Sequence, residues 1–485
     1  MRSPLPYILL GIITLLVVGA TSSENISIGG GVGSVNKNAP SVIQSLYGAM
    51  SVLGLLIATA FMNGTAMRDF DNKMDGLIFT KPINKASYFF GKFLGAYTAS
   101  LVPILGVSIG AIAGPMMPWV TSERYSEIIL SGHLSGLLGF ALPNMLLGGV
   151  LLYSLSMIFR SAIVSWIGAM LLLVFLSIAG GLSADIDNQF WASMVDPFGE
   201  NASSIVGKYR TVEENNLGPI PISGYLLTNR LVWSGIALLL LTLTYTRFSF
   251  SLRSSKKSKK KAADKNQEME NEPIAIFQNK KPSYSILPGN NALASFASIF
   301  RFELKSIVRN PTFLILIAIG TINLLVGLYF FSQGYGVETY PVTYSVIDQI
   351  QGSFYLFLIA IIIFYSGVLV FRDRDVHIDE IKDAMPYSSG LYLIAKVSAL
   401  ISAIALVLAS TIVVGICTQL MNGFYDIKPE VYFMSVMVLD LFNFIHLAIL
   451  AIFFHYILNN KYLAYFVFVL FIILNSFIWG VLEIN

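Results

Sequence analysis

One cysteine, Cys417, stands among 485 residues. That excludes a disulfide framework and any cysteine-based metal site. The four histidines, His133, His377, His446 and His455, form no H-E-x-x-H pair, so the zinc-peptidase helix is excluded too. Charge is equally scarce. Asp, Glu, Lys and Arg make up 12% of the chain, against about 25% in soluble domains, too little to solvate a globular surface. No stretch has the G-x4-G-K-[ST] spacing of a phosphate loop; the glycine-rich run 29–37 is a turn by that test. ATPase and peptidase chemistry are therefore not expected of this chain, and neither is a bound cofactor or metal.

What is present is apolar residues in long blocks. They are 55% of the chain, and the mean hydropathy is +0.70. A bilayer core needs about 20 apolar residues as helix. Eleven blocks qualify: 4–20, 42–67, 88–112, 131–157, 161–182, 231–246, 312–331, 354–371, 391–417, 432–454 and 462–482. Only helices or closed barrels satisfy backbone hydrogen bonds in lipid, and barrel strands would alternate over ~10 residues. The expected fold is an all-α polytopic bundle. The first block is too long for a signal peptide and reads as an anchor.

Basic residues set the expected sidedness. Arg68, Lys73, Lys81 and Lys85 follow the second block; Arg247, Arg253 and five lysines at 256, 257, 259, 260 and 261 follow the sixth. The loops after the first and third blocks carry one basic residue each, Lys37 and Arg124, and the loop 332–352 carries none. The pattern places the N-terminus in the cytoplasm, 185–230 outside and 247–311 inside. The lysine run lacks the interleaved aromatics of a nucleic-acid binder and reads as attraction to anionic lipid headgroups. After a polar stretch, 298–308 (SIFRFELKSIV) reads as an amphipathic helix lying on the inner surface.

The loops after the second and eighth blocks match without gaps. Arg68, Asp69, Asp71, Asp75, Pro82, Tyr88 and Lys92 correspond to Arg372, Asp373, Asp375, Asp379, Pro386, Tyr392 and Lys396. Each pair is 304 apart (68 to 372), and charged residues are too rare here for seven coincidences in 25 positions. Six spans separate the copies, so they share an orientation, as parallel repeats do. Phe70, Met74 and Leu77, and likewise Ile378, Ile381 and Met385, have the spacing of one apolar helix face. Asp71, Lys73 and Asp75, or Asp375, Asp379 and Lys382, fall opposite. Pro82 and Pro386 stop the helix, and Asn84 and Ser388 are set to cap the next one.

The run RDFDNKMDGLIFTKPINKASYFFGKFLG (68–95) is similar to the signature cytoplasmic loop of ABC-2 type exporter permeases, with its acidic residues, "tPi" and "y..gK". DPFGE at 196–200 and LLTNRLVW at 226–233 resemble the permease region of bacterial fusion proteins that also carry a zinc aminopeptidase. The elbow FRFELKSIVRNP (300–311) extends the likeness into the second half. The resemblance implies a six-span unit, here duplicated, in the plasma (bacterial inner) membrane. It implies cytoplasmic ABC ATPase subunits as partners, with Mg-ATP bound on them, and an exported substrate of unknown identity. The loops 68–87 and 372–390 would couple to those subunits. The second loop reads AMPYSSGLYLIAK where the first reads TKPINKASYFFGK, so the two contacts need not be equivalent.

On this reading 1–248 is the first unit, 249–291 a cytoplasmic linker, and 292–485 a second unit of elbow helix and five spans. Subtracting the offset, Asn485 falls at Gly181, before the external segment and sixth span of the first unit. The full gene product is therefore expected to begin with a surface helix and to continue to a twelfth span. A genuine eleven-span protein is the alternative.

Two polar motifs lie inside blocks. Gly106-Val107-Ser108-Ile109-Gly110 matches G-x-S-x-G, but that serine needs a strand-turn-helix elbow; small residues four apart serve close helix packing. A membrane-embedded protease with His446 as base is the remote reading. Asp440, Asn443 and His446 recur at i, i+3, i+6 in the tenth block, and Asn144 sits in the fourth. A charge at depth costs about 2.5–3.5 kcal/mol or more, so Asp440 must face protein or water. Two readings stay open: a polar lining of a translocation path, and a hydrogen-bonded cluster between helices. With Asp440 and His446 as a proton relay, an ion-coupled transporter is the second functional class.

Overall fold

The computed structural model describes residues 4–23, 26, 35–72, 74–120, 122–250, 292–332, 339–375, 389–458 and 461–482. Every regular element among them is helical. Ten helices are long and apolar enough to cross a membrane, and the eleventh apolar block folds as the 22-residue helix Lys461–Leu482. The chain is a multi-pass helical membrane protein.

In the first half, α1 (Leu5–Ser22) and α2 (Pro40–Asp71) are followed by a short α3 (Asp75–Phe79). The third span is α4 (Lys85–Ile104) continued, after a one-residue interruption at Leu105 just past Pro103, by α5 (Gly106–Ala113). A seven-residue α6 (Leu130–Gly136), a π-helical stretch Leu137–Ala141 and α7 (Leu142–Phe159) form the fourth; α8 (Ala162–Ser183) is the fifth. Three short helices, α9 (Gln189–Val195), α10 (Glu200–Gly207) and α11 (Val212–Leu217), precede the sixth span, α12 (Gly224–Arg247). The elbow is a helix, α13 (Ala292–Val308). Then come α14 (Pro311–Ser332), α15 (Thr343–Asp375), α16 (Ser389–Met421), α17 (Pro429–Tyr432), a π-helical stretch Phe433–Asp440, α18 (Leu441–Ile457) and α19 (Lys461–Leu482).

The second-to-third-span loop departs from expectation. A single amphipathic helix through Phe70, Met74 and Leu77 is not formed. The second span itself runs on to Asp71, breaks, and restarts as the five-residue α3. Met74 and Leu77 are exposed while Phe70 packs on the core. Extending a bonded helix adds one hydrogen bond per residue fixed, whereas a separate short helix must pay for its own nucleus.

Lipid tails are as apolar as leucine, so helices here associate by close packing. Gly106, Gly110 and Gly114 show how. A Cβ at Gly106 would meet Leu10 O at 2.8 Å, one at Gly110 would meet Thr14 O at 2.7 Å, and one at Gly114 would collide with Thr21. The glycines of the G-x-S-x-G match are thus the seam on which α5 lies against α1.

Two apolar cores result. One, around α2, takes in α1, α4, α7 and α12; the other, around α15, takes in α14, α16, α18 and α19. The fifth span joins them: Trp166, Met170 and Val174 of α8 belong to the second core, with the Trp166 ring 5.2 Å from that of Phe364. Gly181 and Phe330 meet near the C-terminal ends of α8 and α14, so these helices run parallel. α8 starts beside Arg160, whose guanidinium lies 4.6 Å over the Phe70 ring at the end of α2. α14 follows directly on α13, whose Glu303 bonds Arg372 near the end of α15. The exits of α2 and α15 therefore share one end of the bundle, called the loop end below.

Candidate functional site

At the loop end, one arrangement of side chains is built twice. Asn84 caps α4 by accepting the Ala86 N–H (2.9 Å), which sets Tyr88 and Lys92 one turn apart on one face. Tyr88 Oη donates to Asp69 Oδ2 at 2.6 Å and Lys92 Nζ donates to the same oxygen at 2.6 Å. In the second half Tyr392 Oη donates to Asp373 Oδ2 at 3.0 Å and Lys396 Nζ reaches it at 3.0 Å. Each set ties the exit of one span to the entry of the next. We call these the latches.

The two latches are covered differently. Over the first, Tyr88 stacks on Phe248 (5.9 Å) and meets Phe79 edge-on (5.9 Å). Over the second lies α13, whose Glu303 is fully buried, accepts from Arg372 Nη2 at 2.6 Å and stands 3.2 Å from Tyr392 Oη, whose one proton it shares with Asp373. The second latch is also drier: the Lys396 and Asp373 side chains are 3% and 11% exposed, against 17% and 15% for Lys92 and Asp69. The elbow helix is thus anchored through its one buried carboxylate.

The remaining coupling candidates surround the latches. Arg68, Asp71 and Pro82 are exposed and Asp75 opens α3. Asp375 pairs with Lys461 at the start of α19 (3.0 Å). Asp379 and Pro386 lie outside the described residues, as do Lys73, His377 and nearly all of the linker.

A second polar centre lies within the first half. Arg230 of α12 is buried, and its Nη1 donates to Asn144 Oδ1 of α7 at 2.6 Å. Asn144 Nδ2 donates to Ser51 Oγ of α2 at 2.6 Å and to Phe198 O at 3.1 Å. Asn229 Nδ2 donates to Asp196 O at 2.7 Å and to Ser193 O. Asp196 accepts the N–H groups of Phe198 (2.8 Å) and Asn201 (2.6 Å). Gly199, at φ 75°, lies so near Arg230 that any Cβ would collide with its guanidinium. DPFG and NR, 30 or more positions apart in sequence, thus form one buried unit roofing the fourth span. Glu200 sits against Gly48 of α2. Burial pushes its carboxyl above the usual range, as does the nearby Asp196. Asp196 is also raised by burial, although its backbone hydrogen bonds and the Arg230 charge oppose the shift.

Ser108 of the G-x-S-x-G match bonds His133 Nδ1 at 2.8 Å and Tyr47 Oη at 2.6 Å. The histidine beside that serine is therefore His133 and not His446. The expected polar face of the tenth span also divides. Asp440 is buried, accepting from Gln351 Nε2 at 3.2 Å. Asn443 and His446 are exposed on the outer surface of α18, and His446 Nδ1 is 2.8 Å from its own helix at Phe442 O. The reason is the ordinary pitch of α18, which begins directly after Asp440. Each step of three residues falls ~60° short of a full turn, so Asn443 and His446 rotate progressively away from Asp440.

No family model, curated protein or solved structure matches this chain. The function must be read from the residues themselves. No cluster of three or more metal-ligating side chains occurs among the described residues.

Several site residues escape a sequence reading confined to composition and loops. Asp69 and Asp373 are in the repeat, yet the candidate coupling carboxylates are Asp71, Asp75, Asp375 and Asp379. The hub of each latch is, of the repeated acidic residues, the one set furthest back from the end of its helix. The aspartate–tyrosine and aspartate–lysine spacings, 69 to 88 and 92 and 373 to 392 and 396, were the available signal. Arg230, Asn229, Asp196 and Glu200 are carried by the quoted motifs, but nothing in their local sequence marks them as partners of Asn144.

Proposed function

We propose that this chain is the membrane-embedded permease of an ATP-driven exporter, worked by separate cytoplasmic ATPase subunits that bind at the loop end. The observation that carries the reading is the latch, made from the same three residue types at the same 304-residue offset (Asp69 to Asp373) at one end of the bundle. Two like-built levers on one face suit a partner that also has two halves. Each latch couples a span to the loop outside it, so a push on the loop moves the spans as a rigid pair, with the two cores rocking about the α8–α14 seam. On this reading the chain is two related units, the N-terminus and loop end are cytoplasmic, and the membrane is the bacterial inner membrane. The buried Arg230–Asn144 centre then lies toward the outer side.

The proton-relay alternative is weakened: Asp440 is enclosed while His446 is on the bundle surface. The experiment is co-purification from the native host followed by ATPase assay in proteoliposomes. The reading requires an ATPase subunit that remains bound to the wild-type chain and is lost on charge reversal at Asp71 and Asp75. Active transport by the purified chain alone, driven by a proton gradient, would overturn it.

A further inference from the structure

The latches and the Arg230 centre leave one charged cavity at the loop end without a role. It has a volume of about 240 Å³ and lies between the C-terminal ends of α7 and α12. A single water needs only ~10–15 Å³ by the comparable measure, so the space takes a polyatomic group. Met157, Ile158 and Arg160 form one wall; Thr244, Arg247, Phe248 and Ser249 form the other. Among the described residues no acidic side chain lines it.

Arg160 is placed there at a cost. It follows the last residue of α7 in the left-handed conformation, φ 51° and ψ 43°. Among the described residues it is the one non-glycine with positive φ. Glycine is the residue that favours this position, so an arginine held here argues that its side chain is used. The Phe70 ring beneath the guanidinium fixes its direction. Arg247 enters from the opposite wall, exposed and with no ion pair to any described residue. Helix C-termini do favour cations, which would account for one arginine at each end but not for their convergence on a common cavity.

Beside the cavity the surface is greasy. Ile158, Phe159 and Leu243 are 45%, 52% and 49% exposed, as suits contact with acyl chains. A ligand that satisfies both regions carries an anionic phosphate and a hydrocarbon tail. We propose that this cavity is a binding site for the phosphate headgroup of an anionic membrane lipid, clamped between Arg160 and Arg247. Arginine's planar fork suits phosphate oxygens. The bound lipid would pin the exit of the fourth span to that of the sixth. The inference needs the membrane-spanning bundle only and does not depend on the exporter reading.

The test uses the full-length chain, purified and stripped of lipid, in native mass spectrometry with phosphatidylglycerol and phosphatidylcholine of matched acyl chains. The expected result is one tightly held phosphatidylglycerol. Arg247→Gln should weaken it about fivefold to tenfold, the usual worth of one basic residue at an anionic surface, with phosphatidylcholine unaffected. Arg160→Gly should weaken it similarly while relieving the backbone, so its loss of lipid would not reflect misfolding. Neutralising Lys256, Lys257 and Lys259 together is the control for diffuse attraction and should leave the single tight site. Equal retention of the two lipids, or unchanged phosphatidylglycerol affinity in Arg247→Gln, would overturn the proposal. So would saturable binding of inorganic phosphate with no lipid preference, which would mark a soluble anion as the ligand.

Discussion

Lys396 meets Asp373 across the same 23-residue separation that brings Lys92 to Asp69, at 3.0 Å in one case and 2.6 Å in the other. Both lysines bond a tyrosine-bearing turn to the end of the preceding span. The likeness extends to the hydroxyls of Tyr88 and Tyr392, each donating to the same carboxylate oxygen as its lysine. The difference is in burial, and burial decides what each pair contributes.

Lys396→Met should therefore be the more damaging latch variant. It leaves Asp373 buried with one partner fewer, a change that costs about 3–5 kcal/mol for enclosed pairs. Lys92→Met, in a wetter latch, should cost about half as much. Thermal unfolding in detergent measures both. An equal loss in the two variants would contradict the burial argument.

Gly199→Ala should destabilise the first half by about 2 kcal/mol or more. The new Cβ strikes the Arg230 guanidinium, and φ 75° disfavours any L side chain. Arg230→Met removes the obstacle but leaves Asn144 Oδ1 without its donor. The double variant should be less than additive, because the two sites touch. A double-mutant cycle with no coupling energy would show that the DPFG turn and Arg230 act independently.

Glu200 gives the stability of the chain a pH dependence. Its folded carboxyl titrates above the ordinary glutamate value of 4.5 because burial disfavours the charge. A raised folded pKa means that its contribution is present in full below about 4.5 and is lost as pH rises through the folded value. Glu200→Gln should therefore raise the melting temperature near neutral pH and flatten its decline between mildly acidic and neutral conditions. Wild-type and variant melting curves that run parallel across that range would remove Glu200 as the cause.

Charge reversal at Asp71 and Asp75, or at Asp375 and Asp379, should lower transport and leave expression intact. Arg68, Asp71 and Asp375 are exposed, and exposed charges govern partner docking more than folding. Asp375 carries one internal pair, to Lys461, of the exposed kind that contributes ~0–1 kcal/mol. Export measured in inverted vesicles with the ATPase partner present is the readout. A quadruple variant that transports at the wild-type rate would separate these loops from coupling.

The sequence by itself determined that this is a helical membrane bundle, where ten of its spans lie, and which two loops resemble each other. These properties are local: hydropathy over ~20 residues and a spacing repeated at fixed offset are legible without knowing what touches what. It also marked Asn84 as a cap and 298–308 as a helix, since capping and amphipathic period are one-turn effects. It did not determine where a span ends when its helix continues into water, as α2 does to Asp71, because that depends on the helix already formed behind it. Only the tertiary structure decided that Asp69 and Asp373 are the hubs, that Arg230 lies on Asn144 across 86 residues, and that His133 stands beside Ser108. It also set Asp440 against Gln351 and left His446 on the outer surface of α18. In lipid a buried polar group must find a partner wherever the packing of helices places one, and that placement is set by side-chain shape along whole seams such as Gly106, Gly110 and Gly114 against α1.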